Sequence, residues 1–153
     1  MQRRSLLAVP LASLAAGCAS TPSTSLQTTV ASPAGLKPFK RAYVEVLGED
    51  EFHVGPAIMA ELSDMGLEAF SGLPSMPDDA DLLVRVSSEG GWDFSRYLQS
   101  LQLQFLSAKE KKLVASTYFR SNGVWMGARD LRLKAVFNDL RSKLGLPLSR
   151  QFR

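Results

Sequence analysis

Several short segments of the sequence alternate apolar and polar residues. This period of two is typical of strands with one buried and one exposed face. The clearest of them is YLQSLQLQFLS, in which Leu101, Leu103 and Phe105 alternate with glutamines. A shorter apolar segment, LEAF at residues 67–70, predicts one further strand. The four alternating segments are residues 41–47, 80–88, 97–107 and 113–119.

Two other segments have the spacing of an amphipathic helix. The first begins near Ala57, with Pro56 suited to its first turn and Gly66 to its end. Its apolar stripe is Ile58, Leu62 and Met65. The second is longer and ends at Gly145. Its apolar stripe is Leu133, Val136, Phe137, Leu140 and Leu144.

The predicted element order is β-α-β-β-β-β-α. The second face of the strands carries polar side chains, so we expect it to be solvated while the first face is covered. The sequence therefore predicts an α+β fold, a two-layer sandwich of a mostly antiparallel sheet of four to five strands with two helices on one face. The polar positions are Glu45, Arg85, Gln102, Gln104 and Ser116.

The first twenty residues contain the only cysteine, Cys18, directly after an apolar run. Residues 1–17 have the basic, apolar and small-residue regions of a signal peptide, and the apolar run is too short to span a bilayer. LAAGC resembles a bacterial lipobox, with Ala15 where that pattern usually has leucine. The resemblance implies cleavage before Cys18 and diacylglyceryl and acyl (palmitate-type) modification of it. A plain signal peptide with an incidental cysteine is the alternative.

The residues around Cys18 also bear on the route and destination of export. Cys18 is followed by Ala19 and Ser20, and this resembles lipoproteins sorted to the periplasmic side of the Gram-negative outer membrane. RRSLL resembles a twin-arginine motif, although Arg3 and Arg4 equally supply the positive end of a general signal peptide. The export route stays open.

The segment that follows has a composition typical of a linker. Residues 18–36 are rich in Ser, Thr, Ala and Pro, and carry no charge. Such a segment buries too little surface to order itself, so a flexible tether is predicted there, with one folded domain over 37–153.

Charge is distributed unevenly along the chain. Residues 18–93 hold 12 acidic and 4 basic side chains, a net of −8, and residues 94–153 hold 3 acidic and 12 basic, a net of +9. The split predicts either a dipolar surface or, as we favour, two halves whose charges intermix in the fold. The basic residues lack the aromatic interleaving of nucleic-acid-binding motifs, so we expect no nucleic-acid partner.

No residue cluster in the sequence specifies a reaction. His53 is the only histidine, and no phosphate loop, dinucleotide fingerprint or paired-cysteine motif is present. Two acidic runs, residues 49–51 and 78–81, are interpreted as solvated turns and not as calcium loops. We therefore expect no enzyme activity, no metal and no cofactor.

Residues 90–119 form the most distinctive stretch, beginning GGWDF and containing VAS before the last strand ends. Together with the leader, this stretch resembles small Gram-negative envelope lipoproteins with one α+β domain. Its first part is a candidate interaction surface, an exposed aromatic platform with a polar rim. In the alternative that we favour slightly, Trp92 plugs the sheet edge and Asp93 caps a turn. The candidate surface residues are Trp92, Asp93, Phe94, Arg96 and Tyr97.

Two functions follow as hypotheses. The first is an outer-membrane-anchored interaction module that contacts the membrane through lipid on Cys18 and docks an envelope protein. It would dock through the open sheet face or through the corner around Trp92 and Tyr97. The second is a carrier or sensor that holds an apolar ligand or lipid between sheet and helices.

Overall fold

The computed structural model describes residues 24–93, 95–122 and 128–151. The leader, Cys18 and Phe94 lie outside the described residues. The strands are β1 Thr24–Val30, β2 Arg41–Val46, β3 Glu68–Phe70, β4 Leu82–Asp93, β5 Ser95–Ser107 and β6 Leu113–Ser121. The helices are α1 Val54–Asp64, between β2 and β3, and α2 Ala128–Lys143, after β6. Neither described helix is long and apolar enough to cross a membrane.

The six strands form one mixed sheet in the order β1-β6-β5-β4-β2-β3. Neighbours from β1 to β4 are antiparallel, whereas β2 is parallel to both β4 and β3. The α+β class and the two helices are confirmed, but the prediction of four to five strands is wrong, and part of the sheet is parallel. Parallel neighbours need a crossover connection. Helix α1 provides one from β2 to β3, and the loop of residues 71–81 provides the other from β3 to β4.

The sixth strand is β1, which lies inside the predicted tether. All seven of its residues pair with β6, from Thr24 with Ser121 to Val30 with Ala115. A hydrogen-bonded turn follows, and Leu36 is buried at its end. The prediction of a flexible tether over 18–36 is therefore wrong from Thr24 onward. Uncharged Ser/Thr-rich sequence is typical of linkers, but threonine and valine also suit a strand that a partner strand stabilises.

One face of the sheet is apolar, and both helices cover it. A single core row crosses the sheet, with Val44, Val84, Phe105, Ala115 and Val30 in register. Side chains of α1 and α2 pack on this face in the same core cluster. The predicted two-layer arrangement is confirmed. The helix side chains concerned are Val54, Ile58 and Leu62 of α1, and Leu133, Val136, Phe137 and Leu140 of α2.

Helix α1 starts three residues earlier than its apolar stripe predicts. The carboxylate of Asp50 accepts hydrogen bonds from the backbone N–H of Val54 at 2.7 Å and of Gly55 at 2.9 Å. It thereby satisfies two donors that a helix leaves unpaired at its start. The first acidic run thus has a structural role, since it caps α1.

The opposite face is polar except at one end. There the 71–81 loop covers a small second core of Tyr43, Ala80 and Leu83. The Tyr43 hydroxyl donates to the carbonyl of Leu73 at 2.8 Å. Asp81, from the second acidic run, accepts from the backbone N–H of Lys40 and Arg41, both at 2.9 Å. These contacts hold the crossover loop against the sheet.

The two helices are joined by a buried ion pair. Glu61 of α1 is fully buried, and its Oε2 accepts hydrogen bonds from Arg141 of α2 at 3.0 and 3.2 Å. The same guanidinium donates to Asp64 at 2.6 Å and to the carbonyl of Pro147 at 3.2 Å. Ser149 donates to the second oxygen of Glu61, so the segment after α2 closes over the pair.

The charges of the two halves of the chain intermix, as we favoured. Arg96 pairs with Glu51, Arg120 with Glu89, and Arg141 with Glu61. Each pair joins a residue of the basic half to one of the acidic half.

We expect the Arg141→Met substitution to lower the free energy of unfolding by about 3 kcal/mol, because it leaves the Glu61 carboxylate buried without its charge partner. The double variant Glu61→Leu/Arg141→Met should recover most of that loss, since no buried charge then remains at the pair. Urea denaturation of the four proteins of this cycle gives both numbers. A loss below about 1 kcal/mol in the single variant would contradict the assigned role.

Candidate interaction surfaces

The β4–β5 hairpin extends beyond the rest of the sheet. Pairing of β5 with β6 begins at Ser100, opposite Glu89 of β4. Past that point β4 and β5 pair only with each other, out to Asp93 opposite Ser95. The register shifts between Glu89 and Gly90, which leaves Gln99 as the extra residue of a β-bulge. Residues 90–93 and 95–99 therefore form a two-stranded ribbon, which we call the hairpin tip.

Two glycines give the hairpin tip room for large neighbours. A Cβ on Gly91 would collide with the ring of Tyr97. A Cβ on Gly90 would lie 2.9 Å from the guanidinium of Arg96 and 3.0 Å from the ring of Phe52. Because Gly90 and Gly91 have no side chains, the side chains of Arg96 and Tyr97 on β5 can lie directly over the backbone of β4.

Trp92 is 72 % exposed on the hairpin tip. This exposure contradicts the interpretation, slightly favoured from the sequence, that Trp92 plugs the sheet edge. Asp93 forms the last described pair of the hairpin, through its backbone, with Ser95. Phe94 lies between these two residues and is not among the described ones. An exposed tryptophan of this size is the kind of side chain found at binding surfaces.

Arg96 is held to the loop that precedes α1. It donates from Nε to Glu51 at 2.7 Å, and its Nη2 forms an ion pair with the same carboxylate. This hydrogen bond and the charge of Glu51 raise the pKa of Arg96 above its usual value. The pair ties the hairpin tip to the start of α1.

Tyr97 is half-buried and lies beneath a cation. The guanidinium carbon of Arg132, on α2, is 5.2 Å from the centre of the Tyr97 ring and 5.7 Å from that of Phe119. Both distances are within the range of cation–π attraction. Burial lowers the pKa of Arg132, but a guanidinium titrates so far above neutral pH that it stays charged. Tyr97 therefore supports the packing of α2, whereas Trp92 is free for contact.

The sequence did not single out two features near the hairpin tip. Leu131, on the first described turn of α2, is 61 % exposed. Arg132 lies outside the apolar stripe predicted for this helix, yet only 5 % of it is exposed. Arg129, from the same turn, donates to the carbonyl of Phe52 at 3.4 Å, which places the start of α2 beside the loop before α1.

Strand β1 forms one edge of the sheet, and its outer side has no neighbour among the described strands. Ala31 donates its N–H to the carbonyl of Val114, the next pair in the β1–β6 register. Bonded and non-bonded pairs alternate in an antiparallel ladder, so the odd-numbered residues of β1 bond to β6. The backbone groups of Thr24, Leu26, Thr28 and Val30 therefore point toward the open edge.

The solvated sheet face carries a polar row in register across five strands. Glu45, Arg85, Gln104, Ser116 and Thr29 lie side by side, and Arg85 donates to Glu45 at 2.8 Å. The prediction of an exposed polar face is confirmed. A shallow cavity of about 140 Å³ lies on it, lined by Leu47, Arg85, Ser87, Gln102 and Gln104.

A second cavity, of about 150 Å³, lies where the turn after β1 meets the ends of the two helices. Its walls are mostly apolar, with Leu36, Phe39, Met65, Leu67 and Leu144 among them. Within the described ranges, no three His, Cys, Asp or Glu side chains lie close enough together to hold a metal ion.

The chain resembles solved structures in fold. No protein-family model and no curated protein matches the sequence. Two crystal forms of the PelC dodecamer from Paraburkholderia phytofirmans, one of a single-residue variant, match the structure. The variant has a TM-score of 0.55 at 15 % identity and covers 76 % of this chain and 98 % of its own. The other has a TM-score of 0.58 at 14 % identity, covering 82 % of this chain and 100 % of its own. At such identities the likeness shows the fold alone.

The two aromatic residues of the hairpin tip should respond differently to truncation. We expect Trp92→Ala to change the free energy of unfolding by less than about 0.5 kcal/mol, because the side chain is mostly exposed. We expect Tyr97→Ala to cost about 2 kcal/mol, since it removes a ring that packs against Arg132. Tyr97→Phe keeps the ring and serves as the matched control. Equal losses for Trp92→Ala and Tyr97→Ala in urea denaturation would refute this division of roles.

Proposed function

We propose that this protein is an outer-membrane-anchored periplasmic lipoprotein whose domain acts as a non-catalytic interaction module in an envelope assembly. The observation that carries the module is the open edge of β1. The two acidic runs of the sequence also support a non-catalytic module. Asp50 and Asp81, one from each run, accept hydrogen bonds from backbone N–H groups, so their carboxylates have structural roles. Acylated Cys18 supplies the anchor.

Strand β1 lacks the devices with which proteins protect an edge. Natural edge strands are short, or carry charges, proline or bulges. The sequence of β1, TSLQTTV, has seven residues without charge or proline, and its register with β6 is unbroken. The opposite edge, β3, has only three residues, and Arg41 of the next strand forms an ion pair with its Glu68. The structure thus offers one long template for strand addition.

An added strand would bond to the outward backbone groups of β1 and lengthen the sheet. Main-chain hydrogen bonds supply affinity in this recognition mode, and alternate side chains supply specificity. Leu26, 38 % exposed, faces the helix side, while Gln27 faces the polar side. The partner strand could come from another protein or from a second copy of this chain. Assembly of PelC as a dodecamer is one instance of a protein with this fold forming a multi-subunit complex.

The alternative function, a carrier of an apolar ligand, has less support. The space between sheet and helices is filled by side chains that are fully buried, including Phe105, Phe137 and Leu101. The apolar cavity of about 150 Å³ lies outside that space and is smaller than the ~300–1,000 Å³ of typical ligand pockets.

The anchor is tested at Cys18. We expect mass spectrometry of the mature protein to show a chain that begins at Cys18 and carries diacylglyceryl and a further acyl chain. Two or more chains give stable membrane residence, so Cys18→Ser should move the protein from the membrane fraction to the soluble fraction. A mature protein with an unmodified thiol at Cys18 would refute the anchor.

The edge is tested with a photo-crosslinking amino acid at Gln27 of the full-length protein in cells. We expect one discrete crosslinked product, whose mass identifies a second copy or another envelope protein. Leu26→Pro should abolish the product, because proline removes an N–H that points to the open edge and adds its ring there. The fold should survive, since that N–H makes no bond to β6.

Two controls make this experiment specific. Leu26→Ala removes the side chain but keeps the N–H, and should leave the product in place. A crosslinker at Leu73, in the exposed crossover loop at the other side of the sheet, reports contacts far from β1 and should not give the same product. A product that survives Leu26→Pro in folded protein would refute pairing through β1.

A further inference from the structure

The end of the sheet that lies nearest the proposed lipid anchor can be located from strand register. Thr24, the first residue of β1, pairs with Ser121 at the end of β6. Arg120, beside Ser121, pairs with Ser100, which pairs with Glu89. Thr24 therefore lies at the level of the sheet at which the hairpin tip begins. The tip continues four residues past Glu89, or about 13 Å at the rise of an extended strand.

The length of chain before β1 limits how far this end can lie from the membrane. Five residues, 19–23, separate Cys18 from Thr24. A fully extended chain spans at most about 3.6 Å per residue, so Thr24 lies within about 22 Å of the acylated cysteine. The hairpin tip projects from this same end, and its length is more than half of that distance.

From these distances we propose that the hairpin tip docks on the phospholipid bilayer through Trp92, as a second membrane contact beside the lipid on Cys18. The proposal rests on the proposed lipidation.

The side chains at this end suit a membrane surface. Trp92 is 72 % exposed, and tryptophan favours the boundary between headgroups and acyl chains. Leu131 is 61 % exposed on the first described turn of α2, whose neighbour Arg132 lies over Tyr97 of the tip. The acyl chains proposed on Cys18 already give stable membrane residence, so the added apolar contact chiefly restricts the orientation of the domain.

Three exposed arginines near the hairpin tip each pair with a carboxylate: Arg96 with Glu51, Arg120 with Glu89 and Arg129 with Asp130. Arg132, which also lies beside the tip, is buried against the ring of Tyr97. Polybasic surfaces bind membranes through anionic lipids, but paired charges add little such attraction. Contact through Trp92 should therefore depend little on the anionic lipid content.

The test is fluorescence of Trp92 in full-length acylated protein reconstituted into phosphatidylcholine vesicles. The second tryptophan is removed by Trp125→Phe. We expect a blue-shifted Trp92 emission, strong quenching by brominated lipid and weak quenching by aqueous acrylamide. These values should change little when phosphatidylglycerol is added to the vesicles.

In unacylated Cys18→Ser protein, Trp92→Ala should lower the vesicle partition coefficient about tenfold, as loss of one buried aromatic contact predicts.

A matched control moves the tryptophan to the other end of the sheet. In the variant Trp92→Phe/Trp125→Phe/Lys109→Trp, the single tryptophan lies in the β5–β6 turn. Trp92 pairs with Arg96, and the 12 residues of β5 from Arg96 to Ser107 place that turn about 40 Å from Trp92. It should be quenched by acrylamide and not by brominated lipid.

The outcomes separate this inference from the proposed function. If Cys18 is acylated and Trp92 stays open to acrylamide and unquenched by lipid, the docking is refuted while the anchor stands. The docking is equally refuted if a photo-crosslinker at position 92 gives a protein product in place of lipid, since the tip then binds a protein partner. An unacylated Cys18 refutes the anchor and the docking together.

Discussion

The buried pair of Glu61 and Arg141 determines how the two helices lie on the sheet. A guanidinium and a carboxylate with almost no exposure are costly to bury, so each must stay within hydrogen-bonding distance of the other. That requirement fixes α1 against α2 and closes the segment around Pro147 and Ser149 over them. With both helices on one face, the other face is left to water and to the crossover loop. The open polar face is a consequence of this one-sided layer.

Much of the fold could be predicted because the sequence encodes burial with a clear period. Leu101, Leu103 and Phe105 alternate with glutamines, and all three are fully buried beneath the helices. The final helix likewise lies over the residues of its apolar stripe. These segments bury a complete face, so local pattern and tertiary packing agree.

The rest could not be predicted, because it depends on partners distant in sequence. Strand β1 has the composition of a linker and becomes a strand only through β6, about 90 residues later. Polarity places Arg132 on the surface, whereas the rings of Tyr97 and Phe119 hold it inside. The sequence placed Trp92 and Tyr97 together in one candidate surface. The packing of α2 shows that they differ, because the Tyr97 ring supports Arg132 whereas the Trp92 ring is exposed. The parallel pairing of β2 with β4 follows from the crossover loop of residues 71–81, which has no periodic signal.

The attachment of β1 at its first residue has a mechanical consequence. If the chain before Thr24 is held at a membrane, a force that pulls the domain away acts on β1 along its length. The hydrogen bonds to β6 are perpendicular to that force and are loaded in shear, so they must break together and not one after another. A strand loaded in this way resists extraction far better than one peeled from its end. If the protein is held there, pairing this segment with β6 instead of leaving it loose makes the attachment of the domain as strong as its sheet.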